Sequence, residues 1–371
     1  MVRIIIICLQ RILNLFGGEM DKVIGELVNK LYKYNSLSKE ELIYLLKKID
    51  GDNKNILIEA ANKIRMKYYG NKVYMRGLIE FTNYCSKNCK YCGIRAANRN
   101  IERYRLTNEE IIECVKNGKK LGYSTYVLQG GEDPYYNDDR IVEIIKIIKN
   151  IAPYDAITLS IGERSYESYK KMYEVGADRY LLRHETASKK LYESLHPDGD
   201  YDNRVRCLKD LKAIGYQVGA GFMVGLPGQT IEDLAEDLLF VKELEPHMCG
   251  IGPFIPHKDT PYRLEKHGRL DDVITMLAIT RLLLPKVLLP ATTALGSISG
   301  KGREMGIKAG ANVVMPNLSP INVRDKYSLY NNKICTGDEA AECRRCIENR
   351  INNIGFDIDL GRGDNLDWTR G

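Results

Sequence analysis

The sequence has no apolar run long enough to cross a membrane and no basic run typical of a nucleic-acid surface. The apolar stretch within residues 1–18 is interrupted by Gln10 and Arg11 and has no small-residue cleavage site, so neither a span nor a signal peptide is expected. Residues 1–19 form either a short amphipathic helical extension or an artefact of start-site choice, with Met20 as the true start.

Lysine and arginine exceed the acidic residues by 55 − 49 = 6, but both signs are scattered along the chain, which argues against nucleic acid as a partner.

The chain also lacks a low-complexity linker, and with 371 residues and 44% hydrophobic side chains it fits one large domain. Cysteine is abundant by contrast. Six of the ten cysteines fall in two tight triplets, and the other four are single within apolar or helical stretches: Cys8, Cys114, Cys207 and Cys249. This distribution is typical of metal ligation in a reducing compartment rather than of a disulfide framework, and it predicts a cytoplasmic protein.

From about residue 73 onwards one unit recurs, in which an amphipathic helix ends at a glycine and an apolar strand follows. Capping boxes at Thr107 and Thr230 predict two of the helix starts. Eight candidate strands can be counted: 73–82, 125–129, 156–161, 179–183, 217–223, 248–252, 287–291 and 312–315. We therefore predict an α/β protein, a (β/α)8 TIM barrel over residues 73–324, with a helical N-terminal cap at 20–72 and a C-terminal extension at 325–371.

Barrel enzymes place their active sites at the carboxyl ends of the strands. The unusual residues of this sequence follow those ends, in the stretches CSKNCKYC, QGGED, LSIGER, LRHET, MVGLPGQ, PFIPH, ATTALG and MPN. We therefore expect a site built from these stretches.

The first cysteine triplet, Cys85, Cys89 and Cys92, has the spacing C-x3-C-x2-C. Three thiolates so spaced on one loop bind zinc with an open position, or three irons of a four-iron cluster; free thiols are the third alternative. No His, Asp or Glu lies between Phe81 and Ala97, and the loop carries four basic side chains, Lys87, Lys90, Arg95 and Arg99. This composition favours an anionic iron–sulfur cluster.

The motif, with Tyr91 just before its last cysteine at the end of a first barrel strand, resembles the signature of the radical S-adenosylmethionine (SAM) superfamily. The resemblance implies that Cys85, Cys89 and Cys92 hold a catalytic 4Fe-4S cluster whose fourth iron chelates the methionine part of SAM. It also implies that the cluster, reduced by an external electron donor, cleaves SAM to a 5′-deoxyadenosyl radical, and that the protein supplies binding and orientation.

Other strand ends resemble SAM-binding elements of the same superfamily. Gly130, Gly131 and Glu132 resemble the GGE stretch whose backbone holds the methionine ammonium, and residues 224–229 resemble the segment beside the adenine. Glu185 and Arg204 resemble the pair that holds the ribose or ammonium side and the carboxylate. Without the motif, Arg204 would be interpreted as a solvated helix charge.

Within the superfamily, the sequence is most similar over residues 25–355 to the subgroup of biotin synthase, methylornithine synthase and a di-iron hydrogenase maturase. Cys335, Cys343 and Cys346, spaced C-x7-C-x2-C, resemble the maturase's auxiliary iron–sulfur site, a 2Fe-2S or 4Fe-4S cluster. The segment EAAECRRCIENRI predicts a helix that places Cys343 and Cys346 on one face, with Cys335 in the preceding loop. A structural zinc site and three surface thiols are the alternatives.

The resemblance implies an enzyme that assembles the hydrogenase di-iron subcluster, acting on a small molecule or small iron complex delivered by another maturase. It places the substrate at nine residues of the barrel mouth: Gln129, Thr158, Ser160, Arg183, Met248, Thr292, Thr293, Tyr327 and Tyr330. Arg183 would anchor a carboxylate and the threonines small anions; the alternatives are core packing for Met248 and helix capping for the threonines. Two other functions stay open: another radical enzyme of the same subgroup, either a methylornithine-synthase-like mutase or a biotin-synthase-like enzyme, and a non-enzymatic iron–sulfur scaffold.

Overall fold

The computed structural model describes residues 22–337 and 340–371. The predicted N-terminal extension, with Cys8 and Met20, lies outside the described residues. From residue 22 onwards, three helices precede the first strand: α1 (Lys22–Tyr34), α2 (Lys39–Lys48) and α3 (Gly51–Tyr69). Over the two described ranges, none of the helices is long and apolar enough to span a membrane.

Six parallel strands form a continuous sheet in the order β2-β3-β4-β5-β6-β8. They are β2 (Gly77–Thr82), β3 (Thr125–Gly130), β4 (Ala156–Ser160), β5 (Arg179–Leu181), β6 (Gln217–Ala220) and β8 (Met248–Cys249). Parallel bridges join Met248 to Leu288, Pro290 to Val313, and Asn317 back to Leu78. Since these bridges connect the two edges of the sheet through the two remaining predicted segments, the ring closes and the predicted barrel is confirmed.

Some predicted strands are interrupted. Residues 73–82 divide at Arg76 into β1 (Lys72–Met75) and β2, and β1 pairs with β10 (Val313–Val314). Residues 217–223 divide at Gly221, after which β7 (Met223–Val224) pairs with β9 (Gly252–Pro253). Gly221 has φ +152°, and a Cβ there would lie 2.1 Å from the Gly250 carbonyl oxygen, so the close approach of the two strands requires glycine.

The helices pack outside the sheet and bury their apolar faces against it. They are α4 (Asn108–Lys120), α5 (Asp138–Ile151), α6 (Tyr166–Glu174), α7 (Lys189–Leu195), α8 (Tyr201–Ile214), α9 (Ile231–Leu244), α10 (Leu270–Leu283), α11 (Thr293–Ile298), α12 (Gly302–Lys308), α13 (Ile321–Arg324) and α14 (Ala340–Asn352). Thr107 and Thr230 form capping boxes at α4 and α9, as predicted.

The C-terminal residues lie at the amino ends of the strands. Strand β11 (Asp357–Asp359), which the sequence did not predict, pairs in parallel with β1. Beyond it, Asp364 forms an ion pair of 2.7 Å with Arg179, the first residue of β5, and the indole of Trp368 donates to the Gly215 carbonyl over 2.8 Å. This packing covers one end of the barrel and leaves the opposite end, at the carboxyl ends of the strands, for the site.

Candidate active site

A cavity of about 350 Å³ lies at the carboxyl ends of the strands. Its lining combines the first cysteine triplet, the residues that follow β3, β4 and β5, and residues 290–294. Stretches far apart in the sequence therefore meet at one surface, as the barrel topology predicts.

Cys85, Cys89 and Cys92 all line this cavity from the loop that follows β2. Arg103 holds the loop in place, donating to the carbonyl oxygens of Asn83, Ile94 and Arg95 over 2.5, 2.8 and 2.6 Å. Because these bonds tie both ends of the loop to one guanidinium, the cysteines are presented on a defined backbone.

The three thiols are suited to bind cationic metal. Burial, followed by repulsion from the neighbouring thiolates, raises the pKa of Cys89 well above its ordinary value. Burial raises the pKa of Cys92 to about 12. Within the two described ranges, no three or more His, Cys, Asp and Glu side chains are grouped so that they could hold a single metal ion. Cluster thiolates bind different irons and need not converge on one point, so the triplet fits an iron–sulfur cluster.

Tyr91 lines the cavity from within the cysteine loop and is fixed by His196. The Nδ1 atom of His196 lies 2.9 Å from the Tyr192 carbonyl oxygen and Nε2 lies 3.0 Å from the Tyr91 hydroxyl. Since a carbonyl can only accept, Nδ1 carries the proton and Nε2 accepts from Tyr91. Burial lowers the pKa of His196 to about 4, which keeps this neutral tautomer at physiological pH.

Gly131 lies where the chain after β3 passes the cysteine loop. A Cβ at this position would lie 2.2 Å from the Tyr84 carbonyl oxygen and 2.6 Å from the Cys85 Cβ. Glycine is therefore required for the backbone of the predicted GGE stretch to reach the cluster ligands.

Arg204 is buried beside this stretch, with 11% of its side chain exposed, so the solvated-charge interpretation is wrong. Its Nε donates to Oε1 of Glu163 over 2.6 Å and Nη1 to the Arg183 carbonyl over 2.6 Å. Lys87 lies 3.7 Å from Glu132 and 3.8 Å from Glu163. Burial raises the pKa of Glu132 despite Lys87 and Arg204, whereas these two cations outweigh burial and lower the pKa of Glu163.

Glu185 adopts a left-handed backbone conformation, with φ +66°, which is uncommon outside glycine and marks functional sites. Its amide donates to the Gly221 carbonyl over 3.0 Å. Its Oε2 lies 3.2 Å from Arg183 Nη2, yet both atoms are buried without an aligned hydrogen bond within the described structure. These two groups on the cavity wall retain hydrogen-bonding capacity for a polar ligand, which fits SAM or a substrate.

His184 and Asp237 form a buried pair behind Glu185. Gly221 N donates to His184 Nδ1 over 3.3 Å, and His184 Nε2 lies 3.4 Å from Asp237 Oδ1. That carboxylate oxygen also accepts from the Ala187 amide over 2.5 Å. The pair therefore holds both ends of the HET segment that carries Glu185.

Seven of the nine predicted substrate residues line the cavity: Gln129, Ser160, Arg183, Thr292, Thr293, Tyr327 and Tyr330. Thr158 and Met248 instead line a smaller cavity of about 20 Å³ inside the barrel, beside Arg76. Thr292 also caps α11 by accepting from Leu295 N over 3.4 Å. The substrate roles of all nine stay predictions.

The sequence did not predict the charged residues opposite the cysteine loop. Lys333 donates to both carboxylate oxygens of Glu80, over 2.7 and 2.8 Å, and to the Tyr327 carbonyl over 2.8 Å. The Asn317 amide completes the arrangement with a 2.7 Å bond to Glu80. One sequence feature could have revealed this site: a lone glutamate inside GLIEFT, a strand in which every residue is buried.

The second cysteine triplet lies beside the cavity. Cys343 is buried and Cys346 exposed on α14, and hydrogen bonding with Cys335, followed by burial, raises the pKa of Cys343. Arg303 lies 3.5 Å from the Cys335 sulfur and also lines the main cavity. Two thiols in contact, a third one helical turn away and an adjacent guanidinium suit an anionic cluster.

Comparison with known proteins agrees with this site. The Radical SAM superfamily model matches residues 79–241, and the chain is a radical SAM enzyme. It is 48% identical to the [FeFe] hydrogenase maturase subunit HydE of Thermotoga maritima, over 92% of this chain and 96% of the relative. The chain therefore belongs, within the superfamily, to the family of HydE.

Further relatives lie in the same subgroup. The 3-methylornithine synthase of Methanosarcina acetivorans is 33% identical, over 77% of this chain and 81% of the relative. The crystal structure of methylornithine synthase (PylB) matches with a TM-score of 0.79 and 29% identity, over 90% of this chain and 97% of that chain. HydG, a maturase of the [FeFe]-hydrogenase, matches with a TM-score of 0.77 and 22% identity, over 95% and 79%, and so shares the fold. The family implies a 4Fe-4S cluster and SAM as cofactors.

Proposed function

We propose that this protein assembles the di-iron subcluster of an [FeFe] hydrogenase by radical chemistry on a small iron-containing substrate. One observation carries the proposal: the cysteine loop and a wall of cationic and hydroxyl side chains face each other across one cavity. The near full-length similarity to HydE supports the hydrogenase assignment.

Cys85, Cys89 and Cys92 would hold the 4Fe-4S cluster, and with SAM it supplies a 5′-deoxyadenosyl radical at the cavity. The backbone at Gly131 lies against the cysteine loop, and carbonyl oxygens of the Gly130–Gly131 stretch would accept from the methionine ammonium. Arg204, held by Glu163, presents its remaining donor nitrogen to the methionine carboxylate. Glu185, whose Oε2 is buried and unbonded in the described structure, accepts from the ribose or ammonium side.

The substrate would occupy the remaining wall. Arg183 is half-buried and pairs with Glu185 at 3.2 Å, but its Nε and Nη2 atoms make no aligned hydrogen bond within the described residues, and a guanidinium binds carboxylate through charge-assisted hydrogen bonds. The hydroxyls of Thr292 and Thr293 suit small anionic ligands. A small complex of iron with carbonyl, cyanide and cysteine ligands combines these features, and another hydrogenase maturase would supply it.

The second triplet would hold an auxiliary 2Fe-2S or 4Fe-4S cluster. Its separation from the main cavity by Arg303 supports a structural role or a role in substrate entry rather than in radical formation.

Two measurements test the proposed function. Anaerobically reconstituted protein with a strong reductant should release 5′-deoxyadenosine from SAM, and the gene should restore hydrogenase activity to a host strain that lacks its own maturase of this family. Release without restoration would contradict the hydrogenase role.

A radical mutase is the second candidate, because methylornithine synthase matches in both sequence and structure. Product analysis with lysine separates the two functions, since formation of methylornithine would favour the mutase.

A further inference from the structure

We propose that a basic surface outside the first cysteine loop docks an acidic one-electron carrier protein that reduces the cluster. The inference rests on the proposed radical chemistry, which needs an external electron. The docking surface comprises the exposed and half-buried residues of segments 86–100 and 257–267, without the cavity-lining Lys87, Cys89, Tyr91 and Cys92.

The position of this surface follows from the two faces of the loop. The three cysteines line the cavity, while Ser86, Ala97 and Arg99 of the same loop are exposed. Because electron transfer slows steeply with distance, the carrier protein must come close to the cluster. The shortest approach from the outside is across the single layer of chain that this loop forms.

The second segment packs directly against the loop. The amide of Tyr262 donates to the Lys90 carbonyl over 3.3 Å. The Asn100 amide group donates to Asp259 Oδ1 over 3.0 Å. These two bonds join the segments, and Arg263, Lys258 and Arg99 are sequence neighbours of the bonded Tyr262, Asp259 and Asn100, so the charges of the two segments belong to one surface.

The charge of this surface is strongly positive. It carries six basic side chains, Lys90, Arg95, Arg99, Lys258, Arg263 and Lys266, against the acidic Asp259 and Glu265, so the formal sum is 6 − 2 = +4, compared with +6 for the whole chain. Asp259 is bonded to Asn100, and the bordering Asp198 accepts from the Asn88 amide over 3.0 Å. Lys87 faces inward to Glu132 and Glu163 and is not included.

An apolar contact point lies within the charged surface. Leu264 is 87% exposed and lies between Arg263 and Lys266 in sequence. The acidic Glu265 also borders it, but the formal sum of the surface is +4. A large apolar side chain on a surface of strong net charge is the arrangement in which apolar contact contributes affinity and complementary charge contributes rapid, correctly oriented encounter. The partner that complements this charge is an acidic protein. Because the cluster adjoins the surface, we expect this protein to be a redox carrier.

The test compares two reductants on a charge-reversal variant, Lys258→Glu, Arg263→Glu and Lys266→Glu, since all three residues are exposed and none lies in the cysteine loop. The rate of 5′-deoxyadenosine formation is measured with a reduced acidic ferredoxin and with dithionite. At low salt we expect the ferredoxin rate to fall at least tenfold and the dithionite rate to stay unchanged. The wild-type ferredoxin rate should also fall with added salt, and the variant should lose that dependence.

The matched control reverses three exposed lysines on α4 and α5, Lys116→Glu, Lys120→Glu and Lys146→Glu, and should keep the wild-type rate with both reductants. An unchanged ferredoxin rate in the first variant, or an equal loss with dithionite, would overturn the docking surface.

Leu264→Ala provides a second test with little risk to folding, since it should raise the Kd for the ferredoxin and leave the dithionite rate unaltered. Failure of the wild type to cleave SAM with dithionite would instead overturn the proposed function.

Discussion

Arg204 donates from Nε to Oε1 of Glu163 over 2.6 Å, and only 11% and 8% of the two side chains are exposed. The pair fixes the guanidinium plane at the edge of the cavity, so that under the proposed function Arg204 would meet SAM in a preset orientation. Glu163 itself repels a methionine carboxylate, and its bond to Arg204 offsets that repulsion.

The variant Arg204→Ala should weaken SAM binding by about 1.5–3 kcal/mol, because it removes a charge-assisted contact. It also leaves Glu163 buried with only Asn203 and Lys87 as polar neighbours, so the unfolding midpoint should fall as well. Equilibrium binding of SAM to reconstituted protein measures the first effect. The double variant Arg204→Ala with Glu163→Gln should recover part of the stability but not the affinity, and an unchanged dissociation constant in the single variant would remove Arg204 from the SAM site.

Changing any one of Cys85, Cys89 or Cys92 to alanine should abolish reductive cleavage of SAM, because each thiolate anchors one iron of the cluster. Product release is measured by chromatography after anaerobic reconstitution. Cys114→Ala is the matched control, since Cys114 is buried in α4 away from the cavity. A normal yield of 5′-deoxyadenosine in a triplet variant would contradict the cluster assignment.

Gly131→Ala should lower both iron content and SAM affinity severalfold. The new methyl group would lie 2.2 Å from the Tyr84 carbonyl oxygen, and since the clash is with backbone, the cysteine loop must move. Iron analysis and SAM binding measure the effect. Gly300→Ala is the control, because no atom lies within 4 Å of its Cβ position; equal behaviour of the two variants would contradict the close-approach argument.

The sequence predicted the barrel, which the structure confirms, and a cysteine loop at a strand end, because both depend on local patterns. Glycine after an amphipathic helix, followed by an apolar strand, is visible within about fifteen residues, and so is C-x3-C-x2-C. The division at Arg76 and the added strand β11 were missed, since they depend on pairing between segments 286 residues apart, as in the bond from Asn71 to Asp357.

The sequence analysis did not predict the roles of Glu163, Lys333 and Glu80 for the same reason. Glu163 lay in a stretch expected to contribute to the site, but its role comes from Arg204, 41 residues away. Lys333 is 253 residues from Glu80. The lone glutamate in the buried strand GLIEFT marks Glu80, but nothing near Lys333 in the sequence marks it as the partner. Pairings of this kind arise only when the barrel closes.

The neutral state of His196 predicts a loss of stability in acid. Burial lowers its pKa in the folded protein to about 4 from 6.5. Between those values the unfolded chain binds the extra proton, so stability should fall as pH decreases from 6.5 to about 4 and level off below. The full contribution is roughly 3 kcal/mol. The urea midpoint followed across this range measures it, and His196→Gln should flatten the profile while His267→Gln, at an exposed position, should not.

The triple change of Cys335, Cys343 and Cys346 to serine should leave SAM cleavage intact while iron content falls by the share of an auxiliary cluster. None of these cysteines lines the main cavity, and Arg303 lies between Cys335 and that cavity. The fold should persist because α14 is also held by the bonds of Arg350 to Glu304, at 2.6 and 2.8 Å.

Substrate conversion, in contrast to SAM cleavage, should be impaired in the same variant. Cys335 shares its loop with Tyr327, Tyr330 and Lys333, which line the cavity, so loosening that loop alters the wall opposite the cluster. Iron analysis, 5′-deoxyadenosine yield and hydrogenase restoration separate the three effects, with Cys114→Ala as the control that changes a cysteine outside both triplets. If cleavage is lost although the circular dichroism spectrum and melting temperature match the wild type, the second triplet acts in radical formation and its assignment to the substrate side is wrong.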